Sequence, residues 1–409
     1  MKTQAQAWRQ ASTIRHNQNI TSLSTLALPG RQEHVITVSG RSRDETIGLL
    51  NAETNSRRAQ TLHHFNFGGG RRFGALVREH GHLACAWPAK AGHLNGGQDF
   101  DELSRADARG PREMASKLAP AKCSEAGMPA LTEGFWSLQT VALSGMHITL
   151  LQLPGPGASG VIYEDKYARY CRLTSLTPPN GQAPRAEQAR ALFELLATTL
   201  QSQGFHFTDT VRTWYYLDNL LDWYDEFNAA RTSFFTEQGI FDKLLPASTG
   251  VSMSNPWDCA LSCDLLAVQP KKGEVNIREV ASPMQGSAQD YRSSFSRAVE
   301  ITLPTHRSIF ISGTASIDRV GRTAHVGDVA RQIELTMQVT GALLDSRGMG
   351  WGDVCRGIAY FTSLEDVGLY EQYCREHSLP EFPLALACAR VCRKDLLFEI
   401  EADATTIGA

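Results

Sequence analysis

From about residue 130 onward, apolar and polar positions recur with periods that define elements. The run GMHITLLQL at 145–153 has strand length. Over 185–203, Ala189, Leu192, Phe193, Leu196 and Leu200 fall at spacings of three and four, which predicts an amphipathic helix. Val211–Leu217 is β-branched and aromatic and reads as a strand. A second helix places Trp223, Phe227, Ala230 and Phe234 on one face, and a further strand ends at Asp264-Leu265-Leu266-Ala267-Val268. The same order then returns. SIFISGTASI at 308–317 is a strand, and Asp328 is placed to cap a helix with Val329, Ile333, Met337, Thr340 and Leu344 on its apolar face. After Gly348-Met349-Gly350 come the strand Val354–Phe361 and a helix around Val367–Glu376. Phe382-Pro383 leads to strands ending in Asp395-Leu396-Leu397-Phe398-Glu399-Ile400-Glu401.

The two halves align. Gly204 to Arg212 matches Gly348 to Arg356 without a gap, Tyr216 falls on Tyr360, and Asp264-Leu265-Leu266 falls on Asp395-Leu396-Leu397. This is an internal duplication of an α+β unit, each copy a sheet with two helices on one face. Three regions result: 1–130, 131–280 and 281–409. The first is rich in Arg, Gly, Asn, Gln and His, with only short apolar runs such as HVITVSG. Its Gly-rich segment at 66–74 has backbone N–H groups to offer a phosphate, but it lacks a following Lys-Ser/Thr and reads as a turn. The polar stretch 98–127 reads as a linker, and no function attaches to this third of the chain.

Composition narrows the function classes. Of the 409 residues, 40 are Lys or Arg and 43 are Asp or Glu, a net charge of −3, so a polycation for nucleic acid or anionic membrane is disfavoured. No apolar run is long enough to span a membrane. The first residues lack the apolar core of a secretory signal; Arg9 and Arg15 without an acid only weakly suggest a transit peptide, and a cytoplasmic protein is expected. Nine cysteines without a CxxC pair read as reduced, mostly buried thiols. HExxH, GxSxG, GxxxxGK[ST] and EF-hand patterns are absent, and His306 and His325 have no suitably spaced partners, so no metal site is expected.

The candidate chemistry lies near the end. Residues i and i+2 of a strand share a face, so Glu399 and Glu401 point the same way about 7 Å apart, close enough to drive their proton affinities apart. Alternation alone would instead put both on a wet face as solvated charges, the reading that the residues by themselves favour. Aligned through Asp-Leu-Leu, the first repeat has Val268 opposite Glu399, so one site per chain is expected. Arg231, Arg297, Arg375 and Arg393 are candidates to grip an anionic substrate through their planar forks. Arg212 and Arg356 occupy equivalent repeat positions and read as structural. Tyr291 offers a phenol or packing, and Cys392 a core thiol or a small pocket wall.

Several motifs carry a resemblance. Ser312-Gly313-Thr314, Gly327-Asp328, Gly348…Asp353-Val354, Tyr360, Phe382-Pro383 and Glu399-Ile400-Glu401-Ala402, with Phe227-Asn228-Ala229-Ala230-Arg231 in the first repeat, resemble the RidA (YjgF) family. The resemblance implies tandem RidA- or chorismate-mutase-like units over roughly 140–269 and 295–405. The family's deaminases carry a carboxylate-binding arginine two residues after Phe-Pro; here that residue is Ala385. The fused tandem resembles the chorismatases more closely, through Ser282-Pro283-Met284-Gln285…Tyr291…Ser294-Phe295-Ser296-Arg297-Ala298 and Val391-Cys392-Arg393…Glu399-Ile400-Glu401. An arginine usual after that Pro is Met284 here. This resemblance implies hydrolysis of chorismate to pyruvate and a hydroxybenzoate or a dihydroxycyclohexadienoate. Glu399 would then be the proton donor, and Cys392 matches the 3-hydroxybenzoate-forming branch. Arg297, Arg393, Arg231, Arg375, Tyr291 and Glu401 would surround the substrate, with no cofactor. A RidA-like binding protein and a deaminase are the alternatives. The fold also implies a homotrimer or a chain that mimics one internally.

Overall fold

The computed structural model describes seven strands between residues 8 and 85, and residues 136–408 apart from 156, 256, 272 and 292. The stretch 98–127 lies outside the described residues, as does part of the Gly-rich segment at 66–74. The strands are β1 (Trp8–His16), β2 (Asn19–Leu28), β3 (Arg31–Gly40), β4 (Gln60–Gly68), β5 (Arg71–Arg72), β6 (Ala75–Leu76), β7 (Ala84–Cys85) and β8 (Trp136–Ser144). Next come β9 (Thr149–Leu151), β10 (Ser159–Glu164), β11 (Ala168–Leu176), helix α1 (Arg185–Ser202), β12 (Thr210–Leu217), α2 (Tyr224–Glu237), β13 (Ala247–Ser252) and β14 (Leu261–Pro270). The last unit holds β15 (Asn276–Val280), β16 (Ala298–Thr302), β17 (His306–Ala315), α3 (Val329–Asp345), β18 (Val354–Phe361), α4 (Val367–Glu376), β19 (Leu384–Cys388) and β20 (Phe398–Ile407).

Both repeats fold as the apolar periodicity predicts. Each is a six-stranded mixed sheet, ordered β9-β10-β11-β14-β12-β13 and β15-β16-β17-β20-β18-β19, with the edge strands β13 and β19 parallel to their neighbours. Helices α1 and α2 bury Leu192, Phe193, Leu196, Phe227 and Phe234 against Leu173, Tyr215 and Leu265 on one face of the first sheet. In the second, α3 and α4 pack Ile333, Met337, Leu344 and Tyr370 on Ile311, Phe361, Phe398 and Ile400. Asp328 caps α3, its Oδ1 accepting from the Arg331 N–H at 3.1 Å. The gap-free match of 204–212 to 348–356 is structural. Both segments make a short 3₁₀ turn in which Asp209 or Asp353 accepts from the backbone N–H three residues earlier, at 2.8 and 2.9 Å.

The N-terminal region contributes a third sheet, ordered β1-β2-β3-β8-β4-β5. Its fourth position is filled by β8, which lies beyond residue 130, so that sheet straddles the change in sequence texture. Chain order and sheet order correspond across all three sheets, except that the two-residue β5 runs antiparallel where β13 and β19 run parallel. Each sheet also carries a register shift at the same place, before His63 in β4, Arg212 in β12 and Arg356 in β18. Counting from that shift, Glu399 pairs with Tyr360, Ser262 with Tyr216, and Ser137 with Phe67; Glu401, Asp264 and Gln139 occupy the next matched set.

This register corrects one expectation. The counterpart of Glu399 is Ser262, not Val268. Asp264-Leu265-Leu266 lies within β14, whereas Asp395-Leu396-Leu397 precedes β20, so matching the two triplets shifts the strands by six residues. The three sheets close around a common apolar core built from Val35 and Val141, Trp214 and Tyr216, and Ile358 and Tyr360. Edge strand β13 docks on β17, with the Ser248 N–H donating to Ser312 Oγ at 2.8 Å. Likewise β19 docks on β8, with the Leu386 N–H donating to Ser137 Oγ at 3.2 Å.

Candidate active site

A cavity of about 770 Å³ opens where the first repeat meets the second. The first repeat supplies Tyr224, Phe227, Asn228, Arg231 and Thr232 from α2, Phe241, and Ser248 and Gly250 from β13. The second supplies Arg297 ahead of β16, Gly313 and Ala315 from β17, Cys392 and Arg393 from the segment before β20, and Glu399 from β20. Half of the lining therefore comes from a repeat without the acid. The sequence signal for that half was the Phe227–Arg231 motif, with strand-like sequence after Leu244-Leu245-Pro246-Ala247 where β13 lies; nothing in the pattern singles out Ser248, Gly250 or Phe241.

Glu399 is 4% exposed. Burial first, then the neighbouring charge of Glu401, pushes its carboxyl up to about 8, while Arg212 and Arg297 pull the other way. Its side chain lies across Gly313, where an added Cβ would collide with Glu399 Oε1 and come within 3.2 Å of Thr249 Cγ2. The close approach explains a glycine on a strand at this point. The Gly313 N–H donates to Thr249 Oγ1 at 3.0 Å, tying the acid's floor to β13.

Glu401 lies behind the cavity. Fully buried, it accepts from Arg356 Nη2 at 2.5 Å, Arg212 Nη2 at 2.9 Å and Trp214 Nε1 at 2.8 Å. The two glutamates share a face but have opposite surroundings, one hydrogen-bonded by cations and the other poorly hydrated. Arg212 and Arg356 hold this carboxylate, which gives their repeated position a purpose.

Three of the four predicted arginines meet at the cavity. Arg231 is buried, donates from Nη2 to Asn228 Oδ1 at 2.6 Å, and lies over the Phe227 ring at 5.1 Å. Its Nε has no partner among the described residues. Arg297 donates from Nε to Gly286 O at 3.0 Å, and Arg393 from Nη1 to Gly321 O at 2.7 Å. Arg375 is not brought to the cavity. It lies on the outer face of α4, its side chain 70% exposed, paired at 4.0 Å with Glu371 one turn earlier. Tyr291 closes a short turn, Ala288–Tyr291, and its side chain is outside the described residues. Cys392 lines the cavity half-buried, and burial and the Glu399 charge push its thiol up to about 12, so it stays neutral. Among the described residues no group of His, Cys, Asp and Glu is arranged to hold a metal ion. No described helix is long and apolar enough to cross a membrane.

The fold has matches among known proteins. The family model described as Endoribonuclease L-PSP matches residues 286–406. A solved chorismatase structure superposes with a TM-score of 0.52 at 21% identity, covering 66% of this chain and 82% of that one. The chain has the RidA fold and resembles the chorismatases. Among curated proteins it is 28% identical over 254 residues to a 3-hydroxybenzoate synthase of Streptomyces hygroscopicus, covering 55% of this chain and 70% of that protein. It is 26% identical over 278 residues to a chorismatase of Streptomyces rapamycinicus, covering 60% and 79% respectively.

Proposed function

We propose that the chain hydrolyses chorismate to pyruvate and a hydroxybenzoate, with 3-hydroxybenzoate favoured over a dihydroxycyclohexadienoate. The observation that carries this reading is a buried carboxyl, its proton affinity pushed up to about 8 by burial, at the floor of a cavity holding three arginines. Chorismate's side chain is an enol ether, and breaking it requires a proton on the methylene carbon. A carboxylic acid with a proton affinity near the working pH is suited to that transfer. Glu399 donates to the methylene, leaving an oxocarbenium ion at the ether carbon. Water adds there and returns a proton to Glu399, the hemiketal passes its hydroxyl proton to the ring oxygen as the ether C–O bond breaks, and pyruvate leaves a dihydroxycyclohexadienoate, which gives 3-hydroxybenzoate by losing its 3-hydrogen and 4-hydroxyl as water.

The substrate's two carboxylates call for fixed cations, and Arg231, Arg297 and Arg393 face the cavity from three different segments. Cys392, as a neutral thiol, adds shape and not charge, consistent with a role in product choice. Resemblance to a 3-hydroxybenzoate synthase supports the same product. The deaminase alternative is disfavoured by Ala385. It is buried on β19 outside the cavity, and its counterpart on β13 is Thr249, so neither repeat offers the family's arginine at that position.

Incubation of the purified chain with chorismate, followed by pyruvate assay and product chromatography, tests the proposal. Equimolar pyruvate and hydroxybenzoate are expected. Binding of chorismate without pyruvate would support a ligand-binding protein instead.

A further inference from the structure

Among the described residues the N-terminal sheet supplies no cavity residue, yet it reaches the acid's supporting network. Gln139 on β8 is fully buried. Its Nε2 donates to Thr37 Oγ1 at 2.8 Å, to Gly357 O at 3.1 Å and to Pro383 O at 3.3 Å. Those acceptors fix the amide's orientation and turn Oε1 toward Arg356, whose Nη1 donates to it at 3.1 Å. The rest of that guanidinium is committed to two carboxylates: Nη2 to Glu401 Oε1 and Nε to Asp403 Oδ2, the latter at 2.7 Å. Arg212 grips the opposite Glu401 oxygen and also donates to Thr249 Oγ1 at 2.6 Å, beside Gly313 under Glu399.

We propose that Gln139 is a positioning residue for Glu399, holding Arg356 on Glu401 and keeping the buried network electrically balanced. The inference rests on the role given to Glu399 above. Two cations, Arg212 and Arg356, face two carboxylates, Glu401 and Asp403, so the set is neutral only while Glu399 keeps its proton. Matched positions in the other sheets carry acids, Asp264 and Glu401, whereas β8 carries an amide. An acid here would add a third carboxylate to the same two arginines, and it could not donate to the Gly357 and Pro383 carbonyls when ionised. The other charged or titratable groups around Glu399 are Arg297, Arg393 and Cys392 from its own unit, Tyr360 on the paired strand, and Tyr224, Asp225 and Arg231 from α2 across the cavity.

The test is an NMR titration of carboxyl-labelled glutamate in the full-length protein, with the Glu399 signal assigned by its loss in Glu399→Gln. It reads the acid directly and requires no turnover. Gln139→Glu adds negative charge and draws Arg356 from Glu401, so Glu399 should bind its proton on the order of tenfold more tightly. Asp403→Asn removes a competitor for Arg356 and should weaken proton binding by a similar factor. Opposite shifts support the inference, and Asp403→Asn alone decides its sign where Gln139→Glu does not fold. An unmoved Glu399, or shifts in one direction for both folded variants, would overturn it. Absence of pyruvate in the wild type would overturn the chorismate reading and leave this result standing.

Discussion

At the scale of single residues, a carboxyl pushed up to about 8 sets two pH dependences. Turnover should be sustained below that value and fall as pH rises through it, because the proton to be donated is lost. Stability carries the same sign. The folded chain holds a proton on Glu399 that the unfolded chain releases near 4.5, so the stability it contributes is complete below 4.5 and lost as pH rises toward 8. Glu399→Gln should remove that slope. Denaturant midpoints across this window should show the variant gaining on the wild type as pH rises, and parallel curves would contradict the assigned burial. Gly313→Ala tests the acid's placement, since its Cβ displaces the Glu399 carboxyl. A shift near 1 Å costs on the order of 10²-fold in rate, with the circular dichroism spectrum unchanged.

At the scale of elements, α2 and β20 come from different repeats yet face one cavity, so the site exists only when the repeats pack. Arg231→Ala on α2 should weaken chorismate binding about 10- to 100-fold, the worth of a charge-assisted hydrogen bond. Calorimetry on an inactive Glu399→Gln background measures it without turnover, and unchanged affinity would remove α2 from substrate recognition. Most elements of both repeats were legible in sequence. Val354–Phe361 and Val367–Glu376 coincide with β18 and α4, because long apolar periods and Gly stops leave few other solutions. The run at 145–153 is strand only over Thr149–Leu151. Glu399 could be singled out because it stands on the closing strand, and the arginine cluster because motifs held three of its members. The pairing of β14 and β20 was not legible. An Asp-Leu-Leu string repeats by composition, while register is set by a shift in the ladder that no single strand displays. The opposite environments of Glu399 and Glu401 also come from tertiary partners, Arg212, Trp214 and Arg356, that strand alternation cannot supply.

For the whole molecule, three sheets of matching strand order surround one core, and only one carries the Glu-x-Glu pair. The other two have Ser262 with Asp264 and Ser137 with Gln139, so a threefold plan carries the acid pair once among the described residues. The N-terminal sheet covers apolar surface of both repeats, and its removal would expose Ile358 and Ala385 and leave Arg356 without Gln139. A chain starting after Ser144 should lose cooperative thermal unfolding; a stable, active truncated chain would show that the first sheet is dispensable. The decisive measurement is made on the intact protein: pyruvate released from chorismate by the wild type and by Glu399→Gln, at matched concentration and below pH 8. General acid catalysis contributes about 10²–10⁴-fold, so the variant should lose at least that in turnover while still binding chorismate. Pyruvate formation undiminished in Glu399→Gln would place the proton donor elsewhere and contradict the account.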